Sequence, residues 1–326
     1  MSPASDNKLH ASGFIIAAAA LATTQDAIVK AMSGSYPIYE TVIIRGLSAM
    51  PLLLAWLLLT KSWGALATPY WRLVLLRSLV LAAAYFSFTL ALAAMPMANA
   101  VSIYFTMPFF VAALSSYALG EKVPLHRWMA IAAGFIGVLI MVRPGSANFQ
   151  SASFFALASA FGYAVGQMIG RKLSGKVDTV IISNWQNTIY FVAAILVWWA
   201  VYSFGISNET SKSLSFLTRP WVFPNTNDLL AMCAMGGLSA LVMMCFINAY
   251  RLAPANFVAP FEYTGMIWAV LFGIFIFQDF PDYWTLAGAT IVIGAGLWML
   301  WRDKVVGGQT TGYPAQALTA RSASDD

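Results

Sequence analysis

The stretch ALAAMPMANAVSIYFTMPFFVAALSSYALGEKV, residues 91–123, decides the fold. It carries no charge before Glu121, and two prolines, Pro96 and Pro108, punctuate it. Read as one run with the apolar residues before it, it belongs to a protein of nine membrane spans. Divided at Met95-Pro96-Met97, it begins a fourth span and makes the total ten. Proline disfavours helix at the residue before it and breaks a helix interior. A bilayer core of ~30 Å takes about 20 helical residues, and the undivided run is far longer. The sequence therefore divides here.

Working outward, ten segments qualify as spans: 12–32, 38–60, 71–95, 97–119, 125–143, 151–171, 179–204, 228–250, 256–277 and 282–302. Of the 326 residues 60% are hydrophobic and 10% charged, against about 25% charged in a soluble domain. Such a chain cannot cover a water-facing surface, so lipid is its solvent. The first apolar stretch is full length and followed by more spans. It reads as a retained helix rather than a cleaved signal. Cys233 and Cys245 lie on one predicted helix, roughly 18 Å apart at 1.5 Å per residue, too far for a disulfide.

Lys/Arg bias sets the orientation. With the N-terminus inside, twelve basic residues, among them Lys61, Arg171, Lys172 and Lys176, fall on one face. Four, Lys30, Arg143, Lys212 and Arg219, fall on the other, and Arg45 and Arg77 lie within spans. Both termini are thus expected in the cytoplasm, the chain being read as one of a bacterial-type inner membrane. The longest loop, 205–227, falls outside and carries Asn208-Glu209-Thr210, a weak glycosylation pattern. Apart from Arg45 and Arg77 the basic residues sit where loops are expected, and no run is longer than Arg171-Lys172, so nucleic acid is not an expected partner. The tails, 1–11 and 303–326, are polar, and the second has the composition of a disordered segment.

An internal repeat runs through the chain. At an offset of 158, Pro96 falls on Pro254, Phe105 on Tyr263, Thr106 on Thr264, Glu121 on Asp279 and Ala130 on Gly288. At an offset of 141, Asp26 falls on Gln167, Lys30 on Arg171, Ser33-Gly34 on Ser174-Gly175 and Arg45 on Gln186. An odd number of helices per half inverts the second half in the membrane. The expected fold is an all-α integral membrane protein of ten transmembrane helices in two inverted five-helix repeats, 12–143 and 151–302. Inverted repeats mark secondary transporters, with the site near the midplane between halves.

The residues 91–123 and their counterpart NAYRLAPANFVAPFEYTGMIWAVLFGIFIFQD, 248–279, resemble the drug/metabolite transporter superfamily, specifically a tandem pair of EamA-type domains. The shared pattern is a proline turn after helix 3, small residues along helix 4, a mid-helix proline and a Gly-Glu end, replaced by Gln278-Asp279 in the second half. Arg45 of IIRGL and Arg77 of LLRSL match arginines frequent in this family. The resemblance implies a central cavity lined mainly by helices 1–4 and 6–9, and cargoes such as amino acids, nucleotide-like metabolites, vitamins, opines or drugs. The opening TTQDAIVK, 23–30, is similar to members that carry riboflavin, S-adenosylmethionine or metal-chelating opines.

A charge at mid-membrane needs a partner or a wet cavity. Asp26, Glu40, Arg45, Arg77 and Glu262 are the candidates. Asp26 and Lys30, at i,i+4, are placed to pair. Arg45 suits an anionic or carbonyl group of a solute through its planar fork, or a structural pair with Asp26 or Glu40. Arg77 sits near the inner edge, where it suits snorkelling to the cytoplasm. Glu262 follows Pro260 in a loosened helix, a place for a cation or a coupling proton, or for a pair with Arg251 or Arg77. Tyr85, Tyr104, Phe105, Trp185, Asn187 and Tyr263 supply aromatic and amide surface for a planar, hydrogen-bonding solute. Asn184, Gln186 and Tyr190 extend the polar run of Trp185 and Asn187, which equally serves as interhelical glue. Trp56, Trp63, Trp71, Trp128, Trp284 and Trp301 read as interface anchors. The spacings Gly166-x-x-x-Gly170 and Ala130-x-x-x-Gly134 read as close helix packing or as a homodimer face.

The chemistry for other classes is missing. Two histidines, no metal-ligand spacing and no nucleophile elbow argue against an enzyme, a metal or a cofactor. No phosphate-binding glycine loop argues for a primary pump. The partners expected are a small organic solute and membrane lipid, as an importer or as an efflux carrier for amino-acid derivatives or drugs. A lipid flippase on the same fold is the rival reading.

Overall fold

The computed structural model describes residues 3–61, 63–119, 124–143, 150–206, 211–253 and 255–305. Among them the secondary structure is helical, without a strand. The first span is α1 (Pro3–Met32), followed by α2 (Ile38–Thr60) and α3 (Trp71–Ala94). A single 3-10 turn, Trp63–Leu66, sits between the last two. The fourth span is two helices, α4 (Met97–Tyr104) and α5 (Met107–Leu119). Then come α6 (Leu125–Val142), α7 (Ala152–Leu173), α8 (Thr179–Phe204), a short α9 (Lys212–Thr218) and α10 (Thr226–Leu252). The ninth span is again two helices, α11 (Ala255–Glu262) and α12 (Thr264–Phe277), and α13 (Tyr283–Val305) is the tenth.

Among the described residues nine segments are long and apolar enough to cross a membrane, and a tenth apolar helix, Thr264–Phe277, is shorter. With α11 immediately before it in the chain, that helix completes a ninth span, and the fold is the expected ten-span one. Met95-Pro96-Met97 does divide the third and fourth spans: α3 ends in the extended Met95, and Pro96 caps α4. Large apolar side chains such as Leu59, Phe154, Tyr202 and Phe275 are exposed, as lipid-facing groups are.

Three differences from the sequence reading have plain causes. α1 begins at Pro3 rather than near residue 12, because the helix continues beyond the apolar run. The long loop 205–227 folds a portion of itself into α9, whose Ser211 caps it by accepting the Leu214 amide. Trp56, expected at the lipid interface, turns inward to a cleft. The glycosylation pattern at 208–210, Glu121, Pro254 and the tail beyond 305 lie outside the described residues, and so does the Trp63 side chain.

Both interrupted spans break at one register. Pro108, without an amide hydrogen, sits in the first turn of α5, where none is needed. The break before it leaves Phe105 and Thr106 in a tight turn, with Thr106 N bonded to Ile103 O at 3.1 Å. The second break falls at Tyr263, the residue 158 positions on from Phe105. Their two rings stack at 5.1 Å between centroids and 25° between planes.

The packing is symmetric under exchange of the halves. α1 packs on α10 as α7 packs on α3, while α2 meets α8 and α6 meets α13. α1 touches α12 as α7 touches α4 and α5. With lipid as apolar as the core, close approach and hydrogen bonds hold such helices rather than hydrophobic burial. At the α6–α13 crossing a Cβ on Gly137 would lie 2.8 Å from Gly288 O, so the two backbones touch. The small residues of α6 and α7 are spent inside the chain. Ala130 is fully buried, Gly134 makes room for Phe109, Gly166 for Leu81 and Gly170 for Arg77.

Candidate functional site

A cleft of about 740 Å³ lies between the first three spans and the sixth to eighth. It runs from Asp26 and Tyr85 down to the α7–α8 turn, residues 174–178. That turn holds Lys176, and Asp178 there pairs with Lys61 at 3.0 Å. These residues belong to the face that carries most of the basic side chains.

Asp26, Arg45, Arg77, Tyr85 and Asn187 all line this cleft. So do Gln167 and Gln186, the repeat partners of Asp26 and Arg45. The guanidinium of Arg45 lies over the Tyr85 ring at 4.8 Å and the Tyr190 ring at 5.9 Å. Those two rings stack on each other at 5.3 Å. Arg45 acts electrostatically on Asp26, but no ion pair or hydrogen bond joins them, and no other salt bridge to either is found among the described residues. The guanidinium of Arg45 thus lies over aromatic faces, and its donors have no protein acceptor among the described residues.

Arg77 does not snorkel. Its Nη1 donates to Gln186 Oε1 at 2.9 Å, because the missing Cβ of Gly170 lets α3 come close to α7 and aims the side chain inward. Gln186 Nε2 in turn donates to Tyr190 OH at 3.2 Å, and that hydroxyl donates to Leu81 O at 3.0 Å. Asn187 Nδ2 donates to Gly46 O at 3.2 Å, next to Arg45. On the far wall Ser239 Oγ donates to Gln25 Oε1 at 2.8 Å. Gln25, Tyr163 and Ser239 are not among the sequence-based candidates, and Gln167 enters there only as the repeat partner of Asp26. Their signal was present, since each is a polar group in an apolar span, and Tyr163 and Gln167 stand at i,i+4 on one face of α7.

Six further candidates, Glu40 among them, lie off the cleft wall. Tyr104 stands one layer behind, edge-on to Tyr163 at 5.6 Å. Phe105 and Tyr263 form the stacked pair at the two helix breaks. Trp185 Nε1 donates to Leu66 O at 3.1 Å, tying α8 to the turn after α2. Glu262 accepts a hydrogen bond from Tyr250 OH rather than pairing with Arg251 or Arg77.

The opposite end of the bundle is closed by ionic contacts. Lys30 pairs with Asp279 at 3.1 Å and donates to Met95 O at 2.7 Å, so its partner is not Asp26. Arg143 pairs with Asp282 beside a smaller cavity of about 430 Å³. Tyr36 OH donates to Asp228 Oδ2 at 2.7 Å. No group of three metal-ligating side chains occurs among the described residues.

Helices exposed to lipid around a polar cleft closed at one end define a multi-pass membrane protein with the form of a carrier. The model of the EamA-like transporter family matches residues 11–143 of the chain. The resemblance to the drug/metabolite transporter superfamily is borne out by its relatives. The chain is 24% identical to the S-adenosylmethionine uptake transporter of Rickettsia prowazekii over 70% of its length and 71% of the relative's. It is 29% identical to the riboflavin transporter of Rhizobium johnstonii over 73% and 72%. It is 26% identical to the pseudopaline exporter CntI of Pseudomonas aeruginosa over 87% and 94%. A solved crystal structure shares the fold at a TM-score of 0.58 and 15% identity, covering 93% of this chain and 99% of its own.

Proposed function

We propose that the protein is a secondary transporter that carries a small organic solute across the inner membrane by alternating access between two inverted halves, 12–143 and 151–302. The observation that carries this reading is the cleft itself: Arg45 lies unpaired on the stacked Tyr85 and Tyr190, with Arg77, Gln186 and Asn187 beside it. A planar ring fits against the tyrosines, and a carbonyl or carboxylate fits the arginine fork. S-adenosylmethionine, a purine joined to an amino-acid head, and riboflavin, a fused ring bearing carbonyls, both combine these features. A vitamin such as riboflavin or an amino-acid-like metabolite is the proposed cargo. With both termini cytoplasmic, the cleft opens to the cytoplasm and the ionic contacts of Lys30 and Arg143 close the outside. A carboxyl couples transport to protons, either Asp26 in the cleft wall or Glu262 at the second helix break.

Reconstituted in liposomes, the protein is expected to take up one of riboflavin, S-adenosylmethionine or an amino acid saturably, at a rate that follows an imposed pH gradient. Asp26→Asn or Glu262→Gln should remove the gradient dependence, and whichever does so is the coupling group. Saturable uptake indifferent to the gradient in the unmodified protein would sink proton coupling. Lipid movement without solute uptake would replace the carrier with a flippase.

A further inference from the structure

Glu40 is the buried acid that the cleft does not use. It sits in the first turn of α2, close to the end of the bundle, yet it is fully buried. The cover is a strap, residues 211–225, laid across the α1–α2 hairpin. Glu40 Oε2 accepts the Val222 amide at 3.1 Å, while Oε1 is buried without a hydrogen-bond partner. No salt bridge to this carboxyl is found among the described residues.

The strap is fastened on every side of it. Tyr39 OH donates to Arg219 O at 2.6 Å, and Tyr39 stacks on Trp221 at 6.2 Å. Arg219 Nη1 donates to Ser33 O at 3.1 Å. Asn225 N donates to Tyr36 OH at 3.3 Å, and Ser213 Oγ to Leu90 O at 2.8 Å. Phe216 is fully buried beneath, whereas Phe223 at the strap's edge is 88% exposed. These bonds join the outer end of the first half to the second. Any state open on this side must release them.

We infer that Glu40 is a proton-binding site that latches the strap, 211–225, as an outer lid. A carboxylate sealed away from water with one amide donor and no cation is costly, and the neutral acid far less so. Lifting the strap hydrates the carboxyl and removes that cost. Proton binding at Glu40 therefore favours the closed lid and proton release the open one, by linkage. The other charged and titratable groups here do not compete for the role. Tyr36 and Tyr39 donate their hydroxyls elsewhere, and Asp228 is satisfied by Tyr36 and Asn225. Arg219 is held by Ser33 O, Lys212 lies within electrostatic reach of Lys30, and α8 carries no charged residue. This assignment takes its meaning from alternating access, but its test contains no solute and succeeds or fails without it.

The test uses the full chain in lipid nanodiscs, with Cys233 and Cys245 replaced by alanine. One cysteine is placed on the lid's buried face, Ser213→Cys, and in a second sample at its exposed edge, Phe223→Cys. Labelling by a polar maleimide is read as the ratio of the two sites, which cancels the common dependence of thiols on pH. The ratio is expected to rise about tenfold from pH 5.5 to pH 8 with Glu40 present. With Glu40→Gln, an acid locked neutral, it should stay flat at the low value, and with Asp228→Asn the rise should remain. Should the glutamine variant not fold, Glu40→Asp keeps a carboxyl and must keep a rise, with a displaced midpoint. A flat ratio in the Glu40 protein, an unchanged rise in Glu40→Gln, or no rise in Glu40→Asp overturns the proposal.

Discussion

Arg45→Ala is expected to lower solute uptake at sub-saturating concentration by about 10- to 100-fold. That range follows from hydrogen bonds to a charged group worth about 1.5–3 kcal/mol, at about 1.4 kcal/mol per factor of ten. Its guanidinium rests on Tyr85 and Tyr190 and has no protein acceptor among the described residues, so its donors are free for cargo. Arg45→Lys should recover little, because a lysine keeps the charge and loses the planar fork. Tyr85→Phe should recover most of the rate, because the ring face persists. Initial-rate uptake in liposomes checks all three. Wild-type rates in Arg45→Ala would show that the arginine only braces the helix.

The second large effect is on stability. Gly288→Val should cost about 3 kcal/mol or more, the upper end for overpacking. A side chain there meets Gly137 O and the Met141 side chain, and a backbone carbonyl on a packed helix cannot step aside. Gly137→Val should behave alike, since its Cβ would stand 2.8 Å from Gly288 O. Gly294 is the control on the same helix, with nothing within 4 Å of an added Cβ. There Gly→Ala should be neutral or stabilising by up to about 1 kcal/mol. Thermal unfolding of the purified protein in detergent separates the cases. Equal stability of Gly288→Val and Gly294→Ala would mean that α6 and α13 do not touch.

The spans were legible because twenty apolar residues in a row have few other uses, and proline marks the joints between them. Met95-Pro96-Met97 is enough to separate α3 from α4, and the repeat offset pairs Phe105 with Tyr263, whose rings stack. Partners across the bundle were not legible. Lys30 stands one turn from Asp26, yet it pairs with Asp279, far along the chain. Arg77 was placed by depth alone and turned out to face Gln186. The physical reason is that hydropathy fixes how deep a residue lies in a lipid-embedded helix but not which way it points. Core and lipid are equally apolar, so no amphipathic stripe orients the helix. Trp56 and Trp185 illustrate the same gap, one lining the cleft and the other bonded to Leu66 O.

The two interrupted helices also have an evolutionary consequence. Phe105 and Tyr263 stack at the joints, Gly265 admits the Phe105 ring at 3.5 Å from where its Cβ would be, and the Tyr263 hydroxyl presses on Gly296. Four positions, drawn from both halves, thus share one small space. Their sizes are linked: a residue larger than alanine at 265 needs a smaller one at 105, and a side chain at 296 needs a shorter ring at 263. Among descendants of the same ancestor these four columns should change together or not at all. At this point a change in one half of the chain constrains the other.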